Sequence, residues 1–141
     1  MLKFKFPVLA VRDMEQSIQF YEEIVGDRVV DSYDGYVHFE GGYALEQIPD
    51  AEMDAGEVSL CFEEDDLDAF AAYLKELDKE EEIEEMPNGQ RCIFLVDPDF
   101  HSIEVLENME TALRRMLKSG MTVEQVSEKS QYPMEYVKRF V

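Results

Sequence analysis

The sequence is poor in cysteine, in basic residues and in long apolar runs. Two cysteines, Cys61 and Cys92, cannot by themselves build a disulfide framework or a zinc cluster. No apolar run reaches the roughly 18 residues that a membrane-spanning helix needs. Met1–Pro7 carries two lysines but no long apolar stretch and no small-residue cleavage site. A soluble, cytoplasmic protein is the expectation. Thirteen Lys and Arg stand against thirty-three Asp and Glu, a net charge of −20. That surplus repels phosphate backbones and anionic membranes at long range, which argues against nucleic acid and membranes as partners.

The acid surplus is uneven. Residues 1–106 hold 7 basic and 28 acidic side chains, whereas Glu107–Val141 holds 6 and 5. The acid run Glu63–Glu85 reads as a solvated helix and loop. With 141 residues, 45% hydrophobic and 11% aromatic, the chain can bury one domain, or two small modules sharing a core.

Patterning shows a repeat. Leu2–Val11 alternates as a strand, and Asp13 opens a helix, with Gln16 at capping-box spacing and Met14, Ile18, Tyr21 and Val25 at helical spacing; Gly26 stops it. Three short β runs follow, Arg28–Ser32, Tyr36–Glu40 and Tyr43–Ile48, with Gly41-Gly42 read as a two-residue hairpin turn. After a polar link at Pro49–Gly56 the order returns: a strand at Glu57–Phe62, a helix at Asp66–Leu77, a strand near Glu82–Met86, a turn at Pro87-Asn88-Gly89, then Arg91–Val96, a turn at Asp97–Phe100 and His101–Leu106. Each half reads β-α-β-β-β, and half a sheet with one helix leaves an apolar face uncovered, so two halves must pair, within one chain or across a dimer. Asn108–Val141 differs in kind. Met109, Leu113, Met116 and Leu117 predict one amphipathic helix, Thr122 with Gln125 caps a second, and Pro133 begins a third with Met134, Val137 and Phe140.

The run Pro7–Ser17 with Phe20-Tyr21, and the run Arg91–Val105 with its Asp97-Pro98-Asp99 turn before Ile103-Glu104, resemble the first and last signatures of the glyoxalase/bleomycin-resistance/dioxygenase superfamily, the vicinal oxygen chelate proteins. Gly89–Arg91 and the C-terminal helices resemble one bacterial subgroup of it. The resemblance implies an α+β fold of paired βαβββ modules (about 2–48 and 56–107) forming a curled mixed sheet around a cavity. Residues 108–141 would form a helical appendage, and the chain would pair as a homodimer. It further implies four metal positions, which here match Phe6, Glu46, Glu57 and Glu104. Zinc, nickel and iron favour imidazole, which none of these positions offers. Three carboxylates suit only a hard cation such as Mg or Mn, so the expectation is either no cofactor or such a cation. Phe6 and Glu57 disfavour glyoxalase activity in particular.

Register counting adds candidates. Treating Asp97–Phe100 as a four-residue turn makes Val96 face His101, so Arg91, Ile93 and Leu95 share the cavity face with Ser102 and Glu104. Arg91 could then pair Glu104 or receive an anionic ligand. A Gly41-Gly42 turn places Val37, Phe39, Ala44 and Glu46 on one face and His38 on the other, and His101 is opposite in parity to Ser102 and Glu104, so both histidines are expected in structural or turn roles. Ser59 and Cys61 fall on the cavity side with Glu57, Cys61 as a buried, inert thiol. Phe6, Val8, Val37 and Phe39 would supply apolar lining for a small ligand. Three functions fit: a small-molecule-binding protein with a degenerate metal site (ligand contacts Phe6, Val8, Phe39, Ser59, Arg91, Ile93 and Ser102); a lyase, isomerase or dioxygenase holding a divalent metal on Glu46, Glu57 and Glu104; or a ligand-sensing regulator whose Lys118–Phe140 segment, similar to a helix-turn-helix, touches DNA.

Overall fold

The computed structural model describes residues 1–50 and 58–141. Glu57, and most of the polar link before it, lie outside the described residues. The chain divides into two compact units: Met1–Val58 with Val96–Ser102, and Ser59–Leu95 with Ile103–Val141.

In the first unit β1 (Val8–Val11) leads into α1 (Met14–Phe20), which runs on as a π-helical turn at Tyr21–Val25, and then into β2 (Val29–Tyr33), β3 (Tyr36–Phe39) and β4 (Ala44–Gln47). The Asp13 carboxylate accepts the Gln16 amide at 3.1 Å, so the first turn of α1 does not leave that donor unpaired. The strands lie in the order β1-β4-β3-β2, with β1 parallel to β4 and the other pairs antiparallel. Leu9, Val11, Val37 and Leu45 alternate onto one buried face, where Phe39 stacks on Tyr43 at 5.2 Å and tilts against Tyr21 at 5.4 Å.

The second unit repeats this plan with β5 (Ser59–Glu64), α2 (Leu67–Glu76), β6 (Glu84–Glu85), β7 (Arg91–Val96) and β8 (Ser102–Glu107), in the order β5-β8-β7-β6. The Val58 carbonyl accepts from the Ser102 amide and the Glu64 carbonyl from the Asn108 amide, equal steps along both strands that make β5 and β8 parallel. Ile93, Ile103, Val105, Leu67 and Leu74 are buried, each worth roughly 1.5–3 kcal/mol of transfer free energy. The expected α+β architecture of repeated βαβββ modules is therefore present, as two four-stranded mixed sheets rather than one continuous sheet.

Three helices complete the second unit: α3 (Met109–Lys118), α4 (Val123–Ser130) and α5 (Met134–Val137), the last ending in a 3-10 turn at Lys138–Phe140. Both bonds of the Thr122–Gln125 capping box are made. Leu113, Met116, Val126 and Val137 form a small core of their own, flanked by Phe140 and Tyr136. Gly89 has φ +87, and a side chain there would strike the Met116 sulfur at 2.4 Å, so glycine lets α3 seat closely on the β6–β7 turn.

Two hairpins correct the expected registers. The Phe39 amide donates to the Tyr43 carbonyl and the Gly42 amide to the Phe39 carbonyl, so the loop is Glu40-Gly41-Gly42, three residues with Gly42 left-handed at φ 95. Likewise the Asp97 amide donates to the His101 carbonyl and the Phe100 amide to the Asp97 carbonyl, leaving a loop of Pro98-Asp99-Phe100 with Phe100 at φ 67. Each loop differs by one residue from the length read in the sequence. A one-residue slip moves every side chain of one strand to the other face relative to its partner.

Candidate functional site

The corrected register builds the open face of the first sheet. Tyr36 faces Glu46 and His38 faces Ala44 across β3–β4, while Val8 and Ala10 stand beside Ala44 and Glu46 from β1. On the other flank Asp31 faces His38 and Tyr33 faces Tyr36. A bulge between Val29 and Asp31 restores this alternation. His38 thus shares a face with Glu46, opposite to the sequence expectation.

His38 is the centre of an aromatic group. The Phe6 ring meets it edge-on at 4.6 Å, Tyr36 lies tilted at 5.2 Å and Tyr33 stands edge-on at 6.2 Å. The Tyr33 hydroxyl donates to Asp31 Oδ2 at 2.8 Å, and that bond pushes the phenol pKa up. Val8 and Tyr33 remain 42% and 64% exposed, so this face presents apolar and aromatic surface together with the exposed carboxylates of Asp31 and Glu46. Phe39 is not part of it. At 2% exposure it belongs to the core on the other side, as does Val37.

In the second unit the open face of β5 and β8 carries Ser59, Cys61 and Glu104. The Cys61 thiol donates to Glu104 Oε2 at 3.2 Å, and this bond, with lesser burial and charge effects, raises the thiol pKa. Cys61 is exposed, not buried as the sequence suggested, and therefore open to modification, yet biased toward the protonated thiol. Alkylation by iodoacetamide at neutral pH is expected to be slower at Cys61 than at a free thiol, and Glu104→Gln should accelerate it. An unchanged rate in that variant would show that the hydrogen bond does not control the thiol. Cys92 is buried. Ser102 is half-buried, and its amide donates to the Val58 carbonyl at 3.2 Å.

Arg91 and Ile93 stand on the opposite side from Glu104. Ile93 is fully buried. Arg91 Nε donates to Glu107 Oε2 at 3.1 Å and Nη2 to Asp68 Oδ2 at 3.0 Å, so its partners are Glu107 and α2, not Glu104. The functional group missed in the sequence is Glu107, whose side chain is wholly buried between Arg91 and Arg115. Burial alone would raise its pKa. The hydrogen bonds from Arg115 and the Arg91 amide, with both guanidinium charges, outweigh that and hold it below the usual carboxylate range.

Phe6, at the first of the four positions that the resemblance implies for a metal, presents a ring with no donor atom. Among the described residues no group of three or more His, Cys, Asp or Glu side chains could hold a metal ion. Nor, among them, is any helix long and apolar enough to cross a membrane.

A glyoxalase-like domain family matches residues 4–110. Among solved structures, a protein of unknown function from Agrobacterium tumefaciens str. C58 is 28% identical, covering 77% of this chain and 95% of its own, with a TM-score of 0.63. Lactoylglutathione lyase from Agrobacterium tumefaciens is 24% identical over 74% and 92% of the two chains, with a TM-score of 0.61. A bleomycin resistance determinant encoded on the transposon Tn5 is 24% identical over 76% and 98%, with a TM-score of 0.63. The last two likenesses are likenesses of fold. No curated protein matches the sequence. With residues 4–110 matched and the doubled βαβββ plan present in the structure, the chain belongs to the glyoxalase-like domain family, within the glyoxalase/bleomycin-resistance/dioxygenase superfamily.

Proposed function

We propose that this protein binds a small organic cation on the open face of its first sheet, without a metal. The planar part of the ligand would lie against Phe6, Tyr33 and Tyr36, and its positive charge would sit near Asp31 and Glu46. The observation that carries this reading is the aromatic group around His38, with the Phe6 ring at 4.6 Å. Aromatic faces attract flat molecules and cations together, and such surface left open in a folded chain marks a contact site. The net charge of −20 raises the local concentration of cations. The similarity in fold to a bleomycin resistance determinant supports small-molecule handling as the broader function.

Calorimetric titration with planar aromatic cations and matched planar anions tests it. The cations are expected to bind, and Phe6→Ala and Asp31→Asn should each weaken binding by about tenfold or more. Equal binding of the anions, or unaltered affinity in both variants, would sink the proposal.

The second reading, a lyase, isomerase or dioxygenase using Mg or Mn on Glu46, Glu57 and Glu104, has support in the exposure of Glu46 on the open face of its sheet. Native mass spectrometry after incubation with Mn separates the two. A stoichiometric ion lost in Glu46→Gln favours the metal enzyme, and none at all removes it. The same spectrum counts subunits and tests the homodimer. For the helical tail, the inward packing of Leu113, Met116, Val126 and Val137 supports a structural role over DNA contact.

A further inference from the structure

A groove of about 370 Å³ in the second unit gathers cations in a chain otherwise dominated by acids. Arg91 reaches it from β7. Arg114, Arg115 and Lys118 reach it from α3, where helical spacing puts them with Thr111 on the side away from buried Ala112, Leu113 and Met116. Two carboxylates also line it, Asp68 and Glu107, and they differ in kind.

Glu107 is fully committed. Its buried carboxylate takes Arg91 Nε at 3.1 Å, Arg115 Nε at 3.2 Å and Arg115 Nη2 at 2.9 Å, which fixes both guanidinium planes. Arg115 Nη2 is further tied to the Gly89 carbonyl at 2.6 Å. Asp68, by contrast, is 69% exposed and accepts from the two terminal nitrogens of Arg91, Nη2 at 3.0 Å and Nη1 at 3.4 Å. Arg114 has Glu110 no nearer than 3.8 Å, both about half exposed, a pairing that solvent weakens. Its guanidinium lies 4.8 Å over the Phe140 ring, which sets its direction. Lys118 has no ion-pair partner among the described residues. The groove therefore holds more positive charge than its own carboxylates neutralise, with donors already oriented by Glu107, Gly89 and Phe140.

Three guanidiniums, an ammonium and a hydroxyl around a small volume match an oxyanion with several oxygens, and guanidinium–phosphate geometry is the strongest such match. The surrounding acidic surface would repel a long polyanion, so the occupant is small. We propose that this groove binds a phosphate-class small anion, either free phosphate or pyrophosphate or the phosphoryl group of a metabolite, and that Asp68 is the internal carboxylate which such an anion displaces from Arg91. This site is separate from the open face assigned above, and the two stand or fall independently.

The test is calorimetric titration of the full chain with inorganic phosphate, pyrophosphate and a simple alkyl phosphate, at constant ionic strength, with acetate as the monoanion control. Pyrophosphate and phosphate are expected to saturate one site and acetate not to. The double variant R114A/K118A should weaken pyrophosphate by more than about tenfold, since it removes two charged donors. Asp68→Asn should act in the opposite direction and tighten binding by about threefold or more, because the competing charge is gone. Thermal unfolding of each variant verifies that it folds. An alkyl phosphate bound as tightly as phosphate would support a metabolite phosphoryl group as occupant; weaker binding would support the free anion. The proposal is overturned by the absence of saturable binding, by equal affinity in R114A/K118A, or by no gain in Asp68→Asn.

Discussion

Glu107→Ala is expected to destabilise the protein by about 3 kcal/mol or more, the lower part of the range for breaking a buried charge pair. The carboxylate is wholly buried and accepts from the Arg91 amide at 3.2 Å as well as from both guanidiniums. Without it β7 loses the partner of its first amide, and the two guanidiniums, 22% and 31% exposed, lose the buried charge they share, Arg91 keeping only the exposed Asp68 and Arg115 only the Gly89 carbonyl. Because both reach solvent in part, they can turn outward, which keeps the loss at the low end. Glu107→Gln retains volume and one acceptor oxygen and should fall between. Urea unfolding measures this as a lower midpoint at unchanged m. The linkage has a sign as well. Glu107 titrates lower folded than unfolded, so its stabilisation is present above about pH 4.3 and fades as pH falls through the depressed value. The difference between wild type and Glu107→Gln should therefore shrink in acid. A loss under about 1 kcal/mol in Glu107→Ala would mean that Arg91 and Arg115 find other partners without strain.

Element order was legible because its signals are local. Asp13 and Asp66 each cap a helix through the amide three residues on, and Thr122 with Gln125 closes both bonds of its box. The faces of the strands were not legible, because two loops hide their length. Gly41-Gly42 reads as a two-residue turn, yet Glu40 joins it as the first loop residue. At Pro98-Asp99-Phe100 the left-handed third position is filled by phenylalanine, which pays roughly 1–2 kcal/mol there and so gives no sign in the sequence. The Asp97 carboxylate offsets that strain by accepting the Asp99 amide at 2.9 Å and the His101 amide at 2.8 Å. These two slips bring His38 onto the face of Glu46 and remove Phe39, Arg91 and Ile93 from the candidate face. The Glu107–Arg115 pair needed the face of α3 and the face of β8 to be known together. Spacing along the chain states neither.

Stability is expected to decline as pH rises above about 6.5, the ordinary value for histidine, and to level off once His101 is neutral. The cause lies in the first unit, at the Asp97–His101 loop. Asp97 Oδ2 lies 2.6 Å from His101 Nδ1 and accepts the Tyr21 hydroxyl at 2.8 Å, while Asp99 takes the Arg12 amide at 3.2 Å. The Asp97 hydrogen bond raises the His101 pKa against the opposing effect of burial. A group whose pKa is higher folded than unfolded stabilises fully below the unfolded value and loses that contribution as pH climbs through the folded one. Asp97 moves the other way: burial would raise it, but the bonds from His101 and Tyr21 hold it below the usual carboxylate range. Its contribution is present above about pH 3.9 and is lost as pH falls through the depressed value. The pair is thus strongest between about pH 4 and 6.5. The −20 chain carries many other carboxylates whose repulsion also changes with pH, so the comparison that isolates the pair is wild type against Asp97→Asn. That variant should be less stable by about 3 kcal/mol near pH 5.5, because a buried imidazolium loses its counter-charge, and by less as pH climbs through the raised His101 value and the imidazole loses its proton. Urea unfolding across this range, with the His101 ring titrated by NMR, reads both quantities. A constant gap between the two proteins from pH 5.5 to 9 would show that Asp97 does not tighten the hold of the folded chain on the His101 proton.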